Sequence, residues 1–431
     1  LLKEKIIFSQ TEYSLSLCLV VISTWLLYPY AISWIFPVTV RIIVLTLLCV
    51  SALVLIIKPF KKSPYQFNSG LTLIAFIYAL YSLNVIVGPF TVHNYTNSWV
   101  LLSYIVKLFF FIYLLKNLTI KSTTILFNIY SNLTVFLTVI GLVSIVGVYF
   151  GWLDFYQISI TEGLELKRVI NINFGGFLYA VVPQVGLYRL QSFSIEPAAY
   201  AMAASVALYW LILTQKSFYK ALIVACGISA SWSAGVVLGM LIILLLLLNN
   251  KVIGKTEKYK LIFVFLLCIV PQFIITTTIS SMTSSPIVQN KGDSFSQRVT
   301  EAKEVFEYLY ENPYGTGIGG AKKLLNNSIS IGYVDVFADS GVIGGLLYLI
   351  SFILLGALTT WVILGIYKKM ILVDRDFSRI LIATACMVLM VIFMGLQREK
   401  PDISYWHFWI LASFIFMYSI FNLQVKNDSQ S

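Results

Sequence analysis

Charge is what this chain has least of. Aspartate, glutamate, lysine and arginine make up only 11% of its 431 residues, against 59% hydrophobic ones, whereas an ordinary soluble domain carries roughly 25% charged residues. That shortage excludes an aqueous surface over most of the chain. Histidine is scarcer still: His93 and His407 are the only two and lie in separate segments. No HExxH, CxxC or GxSxG string occurs, so the motifs of zinc hydrolases, thiol oxidoreductases and serine hydrolases are missing. Neither a metal nor another cofactor is expected. The five cysteines, Cys18, Cys49, Cys226, Cys268 and Cys386, lie inside apolar blocks without the paired spacing of a metal site or a disulfide framework, and read as small packing residues. There is no internal repeat or low-complexity tract, which leaves a repeat-built transporter without direct support.

What the chain has in abundance is apolar blocks of roughly 20 residues, the length that crosses about 30 Å of hydrocarbon. They fall at 13–35, 38–57, 69–88, 99–116, 122–150, 196–215, 219–232, 234–249, 260–280, 341–367, 378–396 and 405–423. The expected fold class is therefore all-α: a polytopic integral membrane protein with about twelve transmembrane helices, forming a single transmembrane domain over residues 1–431. The first block exceeds a signal-peptide core, is flanked by Lys3 and Lys5 and lacks a small-residue cleavage site, so it is expected to be a retained helix.

The net charge of +11 in a soluble protein would suggest nucleic acid. Here the basic residues gather in short gaps between apolar blocks, where insertion topology explains them and no nucleic-acid partner is needed. With the N-terminus inside, cytoplasmic loops hold Lys58, Lys61, Lys62, Lys116, Lys121, Lys216, Lys220, Lys251, Lys255, Lys258, Lys260, Lys368, Lys369, Arg375 and Arg379. Both termini are then cytoplasmic.

Two longer external loops, 151–196 and 281–340, escape this charge rule and hold the chemistry. In the first, the semi-apolar piece Phe174 to Leu187 is too short to span and contains Pro183, which suggests a re-entrant or interfacial helix. The second contains SFSQRVTEAKEVFEYLY, from Ser294 to Tyr310, with Val299, Ala302, Val305, Phe306 and Leu309 at helical spacing. The pattern predicts an amphipathic helix lying on the outer membrane surface or across a cavity mouth.

Candidate site residues follow from these loops. In RLQSFSIEPAAYA, from Arg189 to Ala201, Pro197 suits the first turn of a helix and Glu196 its N-cap. Glu196 is either a cap or a catalytic carboxylate, and Arg189 either anchors to headgroups or faces an anionic ligand. Arg298 sits on the amphipathic segment, followed by NPYGTGIGG from Asn312 and by Tyr333, Asp335 and Asp339. Gly315, Gly317 and Gly320 match GxGxxG formally, but a dinucleotide fingerprint belongs between a buried strand and a helix of an alternating fold. A turn, or a backbone cradle for phosphate, are the two readings. A third cluster, QREKPDISYWHF from Gln397, brings Arg398, Lys400 and His407 beside Trp406 and Trp409. Lys107 lies within a span, where it either lines an aqueous cavity or snorkels to the cytoplasmic face. Arginine and lysine arriving from three external segments suit a diphosphate, which guanidinium groups bind through paired hydrogen bonds and stabilise as it departs, without a metal.

These strings resemble the O-antigen and capsule repeat-unit polymerases, called Wzy, and the related O-antigen ligases, over most of the second half of the chain. RLQSFSIEPAAYA is similar to the family's Arg, Phe, Glu-Pro start of a helix, and SASWSAG, from Ser229, to its Ser-Arg-Gly-Ala turn. RVTEAKEVFEYLYENPYGTGIGG, from Arg298, resembles the external Arg helix with its Asn-Pro and Gly-x-Gly turn, and ADSGVIGGLLYL, from Ala338, the Ala-Glu-x-Gly helix start. Trp232 stands where the family often has arginine, and SISIGYVDVFADSG, from Ser328, lacks the histidine of a His-Asn pair found in ligases and many polymerases. The missing histidine weighs more against a ligase than against a polymerase.

The resemblance implies a metal-independent membrane glycosyltransferase of the bacterial cytoplasmic (inner) membrane, with its active site facing the periplasm or exterior. It would join undecaprenyl-diphosphate-linked oligosaccharide repeat units, donor and acceptor both lipid-linked, into O-antigen or capsular polysaccharide for the cell surface, including lipopolysaccharide. Membrane lipid, a chain-length regulator and a flippase are the partners it implies. Arg189 and Arg298 are expected to hold the donor diphosphate, with Arg398 or Lys400 as a third contact. Glu196 is expected to orient or deprotonate the acceptor hydroxyl, with Asp335 as its rival. His407, Tyr333 and Lys107 are further candidates. An O-antigen ligase, or a flippase or transporter of lipid-linked sugars, are the alternatives.

Overall fold

The computed structural model describes residues 120–153, 156–162, 165–172, 178–182, 187–192, 197–250, 252–281, 286–316, 332–369 and 375–397. The expected spans at 13–35, 38–57, 69–88, 99–116 and 405–423 lie outside these residues. In chain order the described elements are α1 (Ile120–Tyr149), β1 (Tyr156–Glu162), β2 (Glu165–Ile172), β3 (Leu178–Val182), β4 (Leu187–Ser192), α2 (Pro197–Leu213), α3 (Phe218–Ser231), α4 (Ala234–Leu248), α5 (Lys255–Ser281), α6 (Pro286–Glu311), α7 (Gly332–Lys369) and α8 (Arg375–Gln397). Helices dominate, and the apolar blocks expected from residue 122 to residue 396 each coincide with one of them.

Among the described residues two stretches, Phe127–Tyr149 and Gly332–Ala357, are long and apolar enough to cross a membrane. Their outward faces are apolar as well. Phe136, Val139, Val143 and Val146 are exposed along α1, and Ile343, Leu346, Ile350 and Ile353 along α7. Both sets recur at helical spacing, so each is a continuous stripe, and exposed stripes of this kind mark a surface that meets something other than water.

The chain divides into two compact units. The first holds α1, the sheet, α2 to α4, α5 as far as Ile275 and α8 as far as Met387. Its core is α2, every residue of which from Pro197 to Leu213 is buried. Burial on every face makes it an interior helix. Six alanines, Ala198, Ala199, Ala201, Ala203, Ala204 and Ala207, keep it narrow enough for its neighbours to approach closely. Three polar pairs tie it to α1: Tyr130 donates to the Ala203 carbonyl (3.1 Å), Thr138 and Tyr200 share a hydroxyl bond (2.9 Å), and Trp210 Nε1 donates to Asn128 Oδ1 (2.8 Å).

The sheet overturns one expectation. Four strands form an antiparallel meander in the order β1-β2-β3-β4, where the sequence suggested a re-entrant or interfacial helix over Phe174 to Leu187. The reason lies in composition and punctuation. Leu178–Val182 reads LYAVV, rich in the aromatic and β-branched residues that favour strands. Pro183 follows it directly, and a helix across that proline would lose a bond and clash with the preceding turn. The last strand then runs in against the helices. Leu190 and Ser192 are fully buried, Ser192 Oγ donates to the Leu137 carbonyl of α1 (3.0 Å), and a Cβ at Gly141 would lie 2.7 Å from Leu190 Cδ1.

The second unit holds α6, α7, the end of α5 and α8 from Val388. The amphipathic segment expected at Ser294 to Tyr310 is the C-terminal part of α6, but its apolar positions serve two faces. Val305 and Leu309, flanked by Ala302, pack with Val334, Phe337 and Ala338 of α7, while Val299 and Phe306 stay largely exposed. The ring of Phe306 meets that of Phe337 (5.8 Å between centroids), and Thr316, just past α6, donates to Ala338. The two helices therefore run parallel as far as Gly341. There α7 breaks, with φ 73° and ψ −175°, at the residue where the apolar span was expected to begin.

Candidate functional site

Within the first unit the basic residues divide between two ends. Lys220 Nζ donates to Asn132 Oδ1 (2.8 Å), Lys258 Nζ to the Leu248 carbonyl that ends α4 (2.6 Å), and Lys260 lies over the Phe218 ring (5.5 Å). Glu257, in the first turn of α5, pairs with Arg379 of α8 and accepts from the Gly254 amide (3.1 Å). These are positions assigned to cytoplasmic loops by the charge rule, and they share the end of the unit where α3 starts and α4 finishes.

Arg189 lies at the other end. From β4, half-buried, it donates through Nε to the Ser231 carbonyl (3.1 Å) and through Nη2 to the Trp232 carbonyl (3.2 Å). The last carbonyls of a helix carry the negative end of its dipole and lack partners of their own, so a guanidinium there is favoured twice. The turn that presents them is unusual. Trp232 caps α3 in the left-handed region, φ 54° and ψ 44°, with its amide on Ser229 (3.2 Å), a conformation costing a bulky residue roughly 1–2 kcal/mol. Ser229, Ser231 and Ser233 around it are buried, and Gln272 of α5, next to Pro271, donates to the Ile228 carbonyl one turn below (3.3 Å).

The second unit holds Arg298, Tyr333 and Asp335. Arg298 is half-buried on α6, one turn before Ala302 on the face that packs against α7, and Tyr333 and Asp335 are half-buried in the first turns of α7. Beyond α6 the chain turns at Asn312 to Thr316 and docks on the α7 break. The Gly315 amide donates to Asn312 (3.2 Å), Thr316 donates its amide to the Ala338 carbonyl (2.9 Å), and the Val342 amide donates to Pro313 (2.9 Å). Thr316 Oγ1 reaches the same Ala338 carbonyl (3.0 Å). Gly315 (φ 79°) and Gly341 (φ 73°) face each other across this joint: a Cβ on Gly315 would sit 2.9 Å from the Asp339 carbonyl, and one on Gly341 would strike the backbone of Pro313 and Tyr314. Of the formal GxGxxG, Gly315 thus serves a turn; Gly317 and Gly320 lie outside the described residues.

Glu196, Lys107, Arg398, Lys400 and His407 also lie outside the described residues. Arg189 belongs to one unit, and Arg298, Tyr333 and Asp335 to the other. Two further carboxylates are buried: Glu301, which the sequence did not single out, and Asp339, which it named without a role. Glu301 and Asp339 are each only 4% exposed, and both make interactions. Glu301 was legible in principle, since it stands three residues after Arg298 and four before the core residue Val305. Burial pushes the Tyr308 hydroxyl on the same helix above its ordinary pKa. The chain matches no protein-family model and no curated protein.

Proposed function

We propose that the protein is a membrane glycosyltransferase that polymerises undecaprenyl-diphosphate-linked oligosaccharide repeat units into O-antigen or capsular polysaccharide on the external face of the cytoplasmic membrane. The acceptor sugar's hydroxyl attacks the anomeric carbon of the donor glycan, the bond from that carbon to the diphosphate oxygen breaks, and undecaprenyl diphosphate leaves with the electron pair. Arg189 and Arg298 hold the diphosphate, with Arg398 or Lys400 as a third contact, and the hydroxyl proton passes to Glu196 or Asp335. Positive charge at the departing oxygen stabilises the transition state without a metal.

One observation supports this reading above the rest. The four stretches that resemble the polymerase family meet in two pairs: Arg189 holds the SASW turn, and the NPYGT turn docks on the ADSG break of α7. The test is incubation of purified protein with a lipid-diphosphate-linked repeat unit from its host, read on a gel. A ladder of products, lost in Arg298→Ala while the variant still purifies as a folded protein, is the expected result. A single added product points to a ligase, lipid movement without linkage points to a flippase, and a full ladder from Arg298→Ala removes that residue from the site.

A further inference from the structure

Helix α6 has three edges. One, with Ala302, Val305 and Leu309, packs on α7. The second carries Val299, Lys303, Phe306 and Tyr310 at helical spacing, all exposed, Phe306 at 47% and Tyr310 at 92%. The third carries Thr300, Glu304, Glu307 and Glu311, also exposed. Apolar and aromatic groups with one cation are thus sorted from carboxylates along the outer surface of a single helix. Lys303 and Glu307 meet only across the seam, at 3.7 Å.

The aromatic edge does not end with the helix. Tyr314, exposed in the turn past the helix, has its backbone at the joint where the Val342 amide donates to Pro313, and Val342 and Ile343 are the first exposed apolar residues after the break in the α7 stretch long enough to cross a membrane. An exposed aromatic edge whose helix leads into the joint where a span's outward face begins belongs at the boundary between hydrocarbon and water. Tyrosine rings are favoured there, a lysine can meet lipid phosphate, and carboxylates are kept off an anionic surface.

We propose that the Val299, Lys303, Phe306, Tyr310 edge of α6 is seated in the phospholipid headgroup layer where α7 enters the membrane, with Lys303 against lipid phosphate and the glutamate edge in water. This seat holds Arg298, on the same helix, at headgroup depth. It rests on the membrane reading alone and is independent of the glycosyltransferase assignment.

The test uses the unaltered full chain in lipid nanodiscs sized for one copy. Hydroxyl-radical labelling read by mass spectrometry reports Phe306 and Tyr310, and carbodiimide-coupled amine labelling reports Glu304, Glu307 and Glu311. Lipid seating predicts that Tyr310 is modified several-fold more slowly than a tyrosine in an unstructured peptide while the three glutamates label freely. Modification of Tyr310 at the peptide's rate overturns the proposal. So does equal protection of both edges, which a second copy burying the whole helix would produce.

Discussion

The joint between Gly315 and Gly341 can be tested by adding one methyl group. In Gly315→Ala the new Cβ meets the Asp339 carbonyl at 2.9 Å and the Ala338 carbonyl at 3.0 Å, with φ held at +79°. The left-handed conformation costs a residue with a Cβ roughly 1–2 kcal/mol, and forcing a methyl into packed backbone costs about 1–3 kcal/mol more. If the turn lifts to relieve the clash, Thr316 loses its two bonds to Ala338, each worth about 1 kcal/mol. Destabilisation of about 3 kcal/mol is therefore expected. Heat or denaturant unfolding of purified protein, followed by tryptophan fluorescence, measures it. Gly356→Ala is the internal control, because its Cβ would touch only Ile392 Cδ1 at an ordinary 3.8 Å, and alanine in a helix interior is favoured over glycine by roughly 0.5–1 kcal/mol. Gly315→Asn separates the two costs, since asparagine tolerates the left-handed region but still carries a Cβ. Equal unfolding of Gly315→Ala and Gly356→Ala would refute the interlocked joint.

Three further predictions concern the first unit. Arg379→Ala leaves Glu257 without its cation at a site where the arginine is nearly buried, so a loss of about 3–5 kcal/mol is expected; the same unfolding curves should show a smaller loss when Glu257→Gln is added. Gly227→Ala places a methyl against the Tyr200 hydroxyl and 2.6 Å from Thr138 Cγ2, and should cost about 1–3 kcal/mol, partly restored by Tyr200→Phe, which removes the obstructing oxygen. Arg189→Lys keeps the charge but not the fork that reaches the Ser231 and Trp232 carbonyls together; the polymer ladder should shorten or vanish, while expression and unfolding change far less than for Arg189→Ala.

The helical part of the described fold was legible because a membrane-spanning helix declares itself through length and apolar composition, without reference to its neighbours. The start of α2 at Pro197 was readable for an equally local reason, a ring that suits a first turn, whereas at Gly341 the sequence placed the start of a span and not a break in a helix already running from Gly332. The sheet was missed although its strands leave a trace: Tyr156–Glu162 alternates apolar and polar residues, and its pairs are close in sequence, Ala180 opposite Arg189 and Tyr156 opposite Ile172; a reading by apolar blocks of membrane length passes over strands this short. For α6 the helical spacing was evident, but the apolar residues belonged to two surfaces, and only contact with α7 assigned Val305 inward and Phe306 outward. Arg189 was identified as a cation with something to bind. That it binds the end of α3 depended on β4 running beside three helices, which no spacing encodes.

The place of Arg189 follows from the shortness of its neighbours. With 14 residues in α3 and 15 in α4, each helix rises only about 21–23 Å, less than the roughly 30 Å of hydrocarbon in a bilayer. Set in a bilayer, the turn between them, Trp232 and Ser233, would stop short of one surface. Irregular backbone at that depth survives only where protein satisfies its polar groups, and here β4 and α5 do so, Arg189 on the Ser231 and Trp232 carbonyls and Gln272 on that of Ile228. Hydrogen bonds to carbonyls leave the guanidinium's charge in place. The fold thus needs a donor there to close the turn, and an arginine in that role also places positive charge at the end of the unit opposite the Glu257 and Arg379 pair. Lysine could supply the charge and glutamine hydrogen bonds; a rigid fork that reaches the two carbonyls from separate nitrogens and carries a permanent charge is particular to arginine.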